Sequence, residues 1–468
     1  MEGYAMTIIP QNNENNQEYA GRLFAFLKAF EVDKVLRCCN AAKQKGFAVI
    51  EIFRYLLCMM FSDRSMYMQM KTNRYTEAFS KNTVHRFLDN GRTNWEKFTN
   101  MLSERIVNDF IRPLTSDDRE DVFIVDDSAY KKTGYKKTEL VATVFDHVSM
   151  KYIKGFRMLT LGWSDGNSFV PISHRLMSSG NDKNVIGTIE EYDKRSLSYK
   201  RRHQARLKAT DVMIDMVKQA QKCGHHAKYI LFDSWFSCPC IVTALKKECH
   251  LDTIAMVKKN QNIRYSYNGE MLDIKTIYKR CKKRPGRSKY LLSVNVDVVS
   301  INENGCKVTV PAKIVCVRNR NKKKDWLAII CTNTELSETE IIRIYGKRWD
   351  IEVFFKSCKS MLKLEQCKKL SYDALTAYVS IVFVRYMFLC YEKRNYEDDR
   401  TLGELMFSIY DEMQDITFSH SMAIITQALF DAVTEMLNLT KEQLEDLTES
   451  FLSRIPVYLR NSLTITVK

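Results

Sequence analysis

The stretch from Tyr345 to Lys359, Tyr-Gly-Lys-Arg-Trp-Asp-Ile-Glu-Val-Phe-Phe-Lys-Ser-Cys-Lys, constrains the fold more than any other, because it sets one carboxylate, Glu352, inside a row of cations. At about 100° per residue, Tyr345, Arg348, Glu352, Lys356, Lys359 and Lys363 share a stripe roughly 80° wide. Ile344, Ile351, Phe354, Phe355, Cys358, Met361 and Leu362 fall on the opposite side. The spacing predicts an amphipathic helix packed on a core with its polar stripe outward. A basic solvated helix is one reading of that stripe. A surface that tracks phosphates and holds one metal ligand is the other, since an ordinary helix face interleaves its charges as i,i+4 pairs.

A length of 468 residues suggests about three domains. Lysine plus arginine exceed aspartate plus glutamate by 72 to 56, and the surplus is uneven: residues 401–468 hold ten acids and four bases, a net −6, which leaves +22 for residues 1–400. A basic body with an acidic tail favours a polyanionic partner, nucleic acid ahead of a membrane surface. No run approaches 18 uninterrupted apolar residues, and Met1 to Gln17 lack a basic flank followed by an apolar stretch, so a soluble intracellular protein is expected. The fourteen cysteines follow no disulfide framework and fit a reducing compartment. Cys238-Pro-Cys240 followed by Cys249-His250 has the residue types of a zinc site, but Cys-x-Cys is not the usual knuckle and the segment reads as a helix start.

Residues 1–115 read as helical, with periodic segments at Tyr19–Arg37, Val49–Phe61 and Trp95–Ile111 and no competing strand. Ser80 to Leu88 fits both a DNA-reading helix and an ordinary capped amphipathic one. From Asp121 the texture changes. Val122–Val125 reads as a buried strand ending in Asp126-Asp127-Ser128, and Leu140–Phe145 and Phe156–Trp163 as further strands. Tyr199–Lys208 opens a basic helix, Tyr229–Phe232 is a strand ending in Asp233, and a helix at Cys240–Glu248 with a strand at Thr253–Val257 completes an alternating α/β pattern. Residues 259–331 read instead as a β-rich insertion, with strands at Ile263–Tyr267, Tyr290–Val299, Cys306–Val317 and Leu327–Cys331 between Asn268-Gly269, Pro285-Gly286 and Asn304-Gly305 turns. Its basic clusters, Lys279–Arg287 and Arg318–Lys324, read either as solvated loops or as partner surfaces. The striped helix follows Asn333, then a hydrophobic helix from Ala374 to Tyr391 and an acidic helical tail.

Two strands thus end in Asp and a later helix presents Glu, so that Asp127, Asp233 and Glu352 come from three separate places. A few carboxylates can hold magnesium while leaving positions open for phosphate oxygens and a water, the arrangement used in two-metal phosphoryl transfer. Taken singly, each acid reads as a strand-end cap or turn residue.

Together these residues resemble the DDE transposases of bacterial insertion sequences, specifically the insertion-sequence-four family. Its signature is Tyr, two residues, Arg, three, Glu, six, Lys, which Tyr345, Arg348, Glu352 and Lys359 meet without deviation. The resemblance covers about 121–395. It implies an α/β chain with an RNase H-like catalytic domain and a β-rich insertion before the catalytic Glu, flanked by helical N- and C-terminal regions. The implied organisation is a DNA-binding domain at 1–115, catalytic core at 116–258, insertion at 259–331, the rest of the core at 332–395, and an acidic region for dimerisation at 396–468. Asp127, Asp233 and Glu352 become the metal ligands, with Asp127 preferred to its neighbour Asp126 because it directly precedes the hydroxyl residue. Tyr345, Arg348, Lys356 and Lys359 become DNA contacts, and Trp326 the aromatic for a flipped base, with core packing as its other reading.

The resemblance further implies a transposase that uses Mg²⁺, with Mn²⁺ able to substitute. It would bind double-stranded DNA at terminal inverted repeats, act as a homodimer in the synaptic complex, cut through a hairpin and join the ends to target DNA. It would reside in a bacterial cytoplasm, on the nucleoid when bound, without a membrane partner. A structure-selective nuclease on the same fold and a domesticated DNA-binding protein without chemistry are the alternatives.

Overall fold

The computed structural model describes residues 6–10, 13–395 apart from 44, 63, 76, 117–118, 147–148, 286–287, 302–304, 320–321 and 323–324, then 402, 404, 406, 423, 425–437, 439–455 and 463–467. Gly286, Asn304, Lys323, Lys324 and most of 396–422 carry parts of the expected turns, the second basic cluster and the acidic tail, and lie outside the described residues. The chain forms two compact units, one of Met1–Glu31, Phe61–Asp63 and Glu397–Lys468, the other of Val32–Met60 and Arg64–Tyr396.

In the smaller unit a strand β1 (Met6–Pro10) pairs antiparallel with Leu463–Val467, and the helix α1 (Asn13–Ala29) follows it. This strand corrects the all-helical expectation for the first 115 residues. Five residues are too few to display a period, and the partner lies at the other end of the chain. A second helix, Lys441–Arg454, opens with a capping box of Thr440 and Gln443 and buries Leu444 with Ala423 and Phe430.

The larger unit begins with helices α2 (Val32–Cys38), α3 (Val49–Cys58), α4 (Met66–Lys71), α5 (Lys81–Leu88) and α6 (Trp95–Arg105). Glu31, at a positive φ of 47°, separates α1 from α2 where one periodic segment was expected. Phe53, Phe98 and Trp95 pack edge to face and join α3 to α6. Helix α5 buries Thr83, Val84, Phe87 and Leu88, and the Ser80 hydroxyl meets Thr83 Oγ1 at 3.3 Å rather than a backbone N–H.

Among the described residues a mixed sheet of eleven strands follows. Its axis is β2 (Val122–Lys131), whose first four residues are buried, as befits an apolar strand covered on both faces. The short β3 (Ala142–Asp146) and β5 (Phe169–Met177) share one edge of the long β4 (Lys151–Ser164), and β2 lies antiparallel along its other edge. Helices α7 (Leu197–Ala205) and α8 (Ala209–Lys222) lead to β6 (Tyr229–Phe232), and α9 (Pro239–Glu248) leads to β7 (Asp252–Met256). Strand β6 is parallel to β2 and β7 is parallel to β6.

The sheet then continues through β8 (Arg264–Tyr267), β9 (Glu270–Asp273), β10 (Leu292–Ile301), β11 (Lys307–Arg318) and β12 (Trp326–Cys331), with β12 antiparallel to β7. The segment read as an insertion is therefore hydrogen-bonded, edge to edge, onto the strands that carry the acids. Asn268 and Gly269, both at positive φ, close a β8–β9 hairpin, and Asp273 then caps α10 (Ile274–Arg280). The first basic cluster, whose two readings are a solvated loop and a partner surface, thus begins on the helix α10.

Strand β5 is a further difference. Pro171, Ser173, His174 and Arg175 obscured it, yet all nine of its residues are buried. Two of its polar members have partners: His174 Nε2 meets Ser380 Oγ at 3.0 Å, and Arg175 pairs with Glu96. Behind it lies α13 (Tyr372–Asn395), following α11 (Glu338–Gly346) and α12 (Trp349–Ser360). Helix α13 is long and apolar enough to cross a membrane, but 83% of its most apolar window is buried inside this unit. It also carries the buried Arg385, which donates to the carbonyls of Leu362 (2.9 Å) and Leu56 (2.6 Å). These are properties of a core helix.

Candidate active site

Strand β6 pairs with β2 only as far as Ile124 opposite Leu231 and stops at Phe232. Strand β2 runs on past that point, so Asp126 and Asp127 project beside the loop that begins with Asp233. Successive residues of a strand point to opposite faces, which separates the two neighbouring acids.

On one face, Asp126 meets the junction of α11 and α12, where a single striped helix was expected. Gly346, a weak helix former, precedes a tightened turn in which the N–H groups of Lys347, Arg348 and Asp350 each reach three residues back at 3.0 Å. Side chains fix this turn. Lys347 donates to the carbonyl oxygens of Glu120 (2.6 Å) and Asp165 (3.2 Å), and Ser164 Oγ donates to Asp350 at 2.6 Å. Arg348 is thereby placed between two acids, donating to Asp126 Oδ2 at 3.1 Å and to Glu352.

Burial and the nearby charge of Asp233 push the Asp126 carboxyl up to about 7, against the opposing pull of Arg348. Burial also raises Asp233, although the Trp235 N–H, 2.8 Å from its Oδ1, and the charge of Arg348 favour its ionised form. The charge of Asp127 adds to the repulsion on both. These are oxygen donors crowded enough to resist ionising together, and a guanidinium offsets part of that cost. Among the described residues no three potential metal ligands form a ready-made cage. Magnesium does not need one, because it is usually held by one or two carboxylates plus waters and substrate phosphates. The donor set fits such an ion.

On the opposite face, Arg157 donates through Nε (2.6 Å) and Nη2 to Asp127 Oδ2. Arg157 lies on β4 opposite Ala129, one diagonal step from Asp127. Its guanidinium also lies 5.2 Å from the ring centre of Trp235, which Lys258 approaches at 5.1 Å.

The remaining expected residues are dispersed. Tyr345 is largely buried beside Arg348, and that burial raises its hydroxyl pKa. Lys356 is exposed. Lys359 is half-buried, its Nζ 3.8 Å from Glu365, and burial lowers its pKa against the attraction of Glu365 and Asp146. Lys363 leaves the stripe. It has a left-handed backbone beyond the end of α12 and donates to Met59 O at 2.8 Å. Trp326, the first residue of β12, stacks on Tyr278 at 4.1 Å and 14° and has Lys259 Nζ 4.8 Å from its ring centre. Cys238 and Cys240 start α9 with their sulfurs 2.9 Å apart, while the buried Cys249 caps its far end, about 15 Å away at 1.5 Å per residue. That separation removes the zinc alternative.

Arg157, Trp235, Lys258 and Lys347 were not singled out from sequence. Trp235 and Lys258 had a signal, since each closely follows a parallel strand, and ligands bind beyond the carboxyl ends of such strands. Arg157 had none, because its role depends on cross-strand register.

No curated protein matches the chain. Residues 34–319, more than half of it, match the family model described as DDE superfamily endonuclease. That match includes Asp126, Asp127 and Asp233 and stops before α12, so Glu352 joins the site through the Arg348 geometry alone. With its mixed α/β sheet, its carboxylates and its basic body, this chain belongs to the DDE superfamily endonucleases, whose substrate is DNA and whose members generally use divalent metals.

Proposed function

We propose that the chain is a transposase of the insertion-sequence-four type, with Asp126, Asp233 and Glu352 as its three metal ligands. The observation that carries this reading is Arg348, which spans Asp126 and Glu352 next to Asp233. A cation bridging two acids marks where a divalent ion would be held. Asp126 replaces Asp127 in the set because Asp126 shares Arg348 with Glu352, whereas Asp127 turns to the opposite face, toward Arg157. The RNase H-like reading is supported by the sheet itself: β2, β4 and β5 form an antiparallel meander, and β6 and β7 add in parallel on the other side of β2.

The residues divide the work. Asp126, Asp233 and Glu352 would hold Mg²⁺, which supplies an activated water and stabilises the leaving oxygen of a phosphodiester. Arg348, bonded here to Asp126 and Glu352, would hold a phosphate oxygen through its planar fork when an ion offsets those acids. Lys356 and Lys359 would extend that phosphate track along α12, while Tyr345 stands beside Arg348 from the end of α11. The 3′-hydroxyl freed by hydrolysis of one strand would attack a phosphodiester of the opposite strand, closing a hairpin and displacing the flanking 3′-oxygen. Water would then reopen the hairpin, and the regenerated 3′-hydroxyl would attack a target phosphodiester and displace its 3′-oxygen. A homodimer would bring two terminal inverted repeats together.

The test is a labelled duplex carrying the element's end, with and without Mg²⁺. Cleavage should require the ion, vanish in EDTA and vanish in Asp233→Asn, with duplex binding retained. Pre-cleaved ends should join to target DNA. Cutting without joining would identify a nuclease, and full activity in EDTA would overturn the metal mechanism.

A further inference from the structure

The parallel strands β6 and β7 and the antiparallel β12 bring three short segments to the same end of the sheet. Strand β6 continues into Asp233-Ser234-Trp235, β7 into Val257-Lys258-Lys259, and β12 starts there with Trp326. The Val257 N–H donates to Ala328 O at 2.8 Å, which ties the second segment to the third. Aromatic rings and cations alternate along this end. Trp235, 47% exposed, has Arg157 and Lys258 about its ring. Lys259 reaches Asp325 Oδ1 (2.6 Å) and Trp326 O (2.7 Å) and lies over the Trp326 ring. Trp326 stacks on Tyr278, over which Lys283 Nζ lies at 4.8 Å.

We infer that this row is a track for an unpaired DNA strand leading away from the carboxylates, with Trp235 as its first base platform. The inference rests on the reading of Asp126, Asp233 and Glu352 as the cutting site. Two strand spacings separate Trp235 from Trp326, about 10 Å, which matches about three stacked nucleotides. Proteins that bind single strands combine a positive groove with aromatic faces on which bases stack. The exposed Lys258 can exchange the Trp235 ring for a phosphate, and a base then takes its place on the ring. Arg157 stays behind, held by Asp127. This gives Asp127 a role outside the metal set, as the residue that positions Arg157 beside the platform. The expected platform, Trp326, is different: Tyr278 covers one of its faces and Lys259 lies over the ring, so it continues the track rather than opening it.

The full-length protein would be titrated, by fluorescence anisotropy without metal, against a labelled 12-residue oligo-dT, an abasic strand of equal length and a duplex. Wild type should bind oligo-dT more tightly than the abasic strand. Trp235→Ala should weaken oligo-dT about 5–100-fold while leaving the abasic strand and the duplex unchanged. Trp235→Phe should recover part of the loss, and Tyr278→Ala should give a smaller one. Unchanged oligo-dT affinity in Trp235→Ala, or equal wild-type affinity for oligo-dT and the abasic strand, would overturn the track. Cleavage by wild type and Asp233→Asn, measured alongside, separates the two readings. Metal-dependent cleavage with unaltered oligo-dT binding in Trp235→Ala overturns the track alone, whereas stacking without any cleavage overturns the cutting site.

Discussion

At the scale of single residues, the site depends on which side of β2 an acid faces. Asp126 and Asp127 are chemically identical neighbours, but the strand's alternation gives one to Arg348 and Glu352 and the other to Arg157. On the proposed ligand set, neutralising Asp126 should remove a ligand, while neutralising Asp127 should only loosen Arg157. Asp126→Asn should lose at least about 100-fold in cleavage and should no longer gain thermal stability when Mg²⁺ is added, since binding to the native state alone raises Tm. Asp127→Asn should keep its Mg²⁺-dependent rise in Tm and most of its nicking. The reverse pattern in a melting series would return the ligand role to Asp127.

At the scale of elements, the α11–α12 junction sets where Arg348 stands. A continuous helix would have kept the Tyr345–Lys363 stripe in one line. The tightened turn instead gathers Arg348 and Glu352 over β2, held by Lys347 and Asp350. Lys347 is nearly buried and donates to two backbone carbonyls. Lys347→Met keeps the stem and removes the bonds, and should cost about 1.5–3 kcal/mol in urea denaturation. Because Arg348 then loses its placement, cleavage should fall more through kcat than through KM. A variant with wild-type stability and kcat would show that the turn is set by backbone preference alone.

At the scale of the whole molecule, buried histidines pin helices to the sheet. His174 on β5 meets Ser380 on α13, and His225, just before β6, meets Ser103 Oγ (3.0 Å) and Asn100 O (3.1 Å) on α6. Burial lowers His174 to about 3 and His225 to about 4, helped by Arg175 and Arg201 near the first and by Arg112 and His226 near the second. The unfolded chain therefore takes up protons before the folded one does. Stability from these groups is fully present above pH 6.5 and is lost as pH falls toward 4 for His225 and toward 3 for His174, His225 alone accounting for up to about 3 kcal/mol. His225→Gln, which retains an N–H donor for Asn100, should flatten the fall of Tm between pH 6.5 and 4. A variant whose curve parallels wild type would assign the acid sensitivity to other groups.

The sequence by itself determined that Asp233 follows the end of a buried strand and that Asp126 and Asp127 follow a buried β-branched run. Strand β2 nevertheless continues through both acids to Lys131 instead of ending at them, because its pairing with β4 extends that far. The sequence also determined the Tyr345, Arg348, Glu352 and Lys359 spacing, the basic body and most of the strands, since these are local patterns of period or charge. Tertiary structure decided the rest. Strand β5 is polar yet buried because its partners come from α6 and α13. The pairing of Met6–Pro10 with Leu463–Val467 spans the chain and leaves no local trace. Which of Asp126 and Asp127 faces Arg348 follows from the two faces of β2, and the break at Lys347 and Arg348 follows from contacts with Glu120, Asp165 and Ser164. The convergence of Trp235 with Lys258 and Trp326 follows from cross-strand register. Register is set by contacts between segments far apart in the chain, and no periodicity within one segment encodes it.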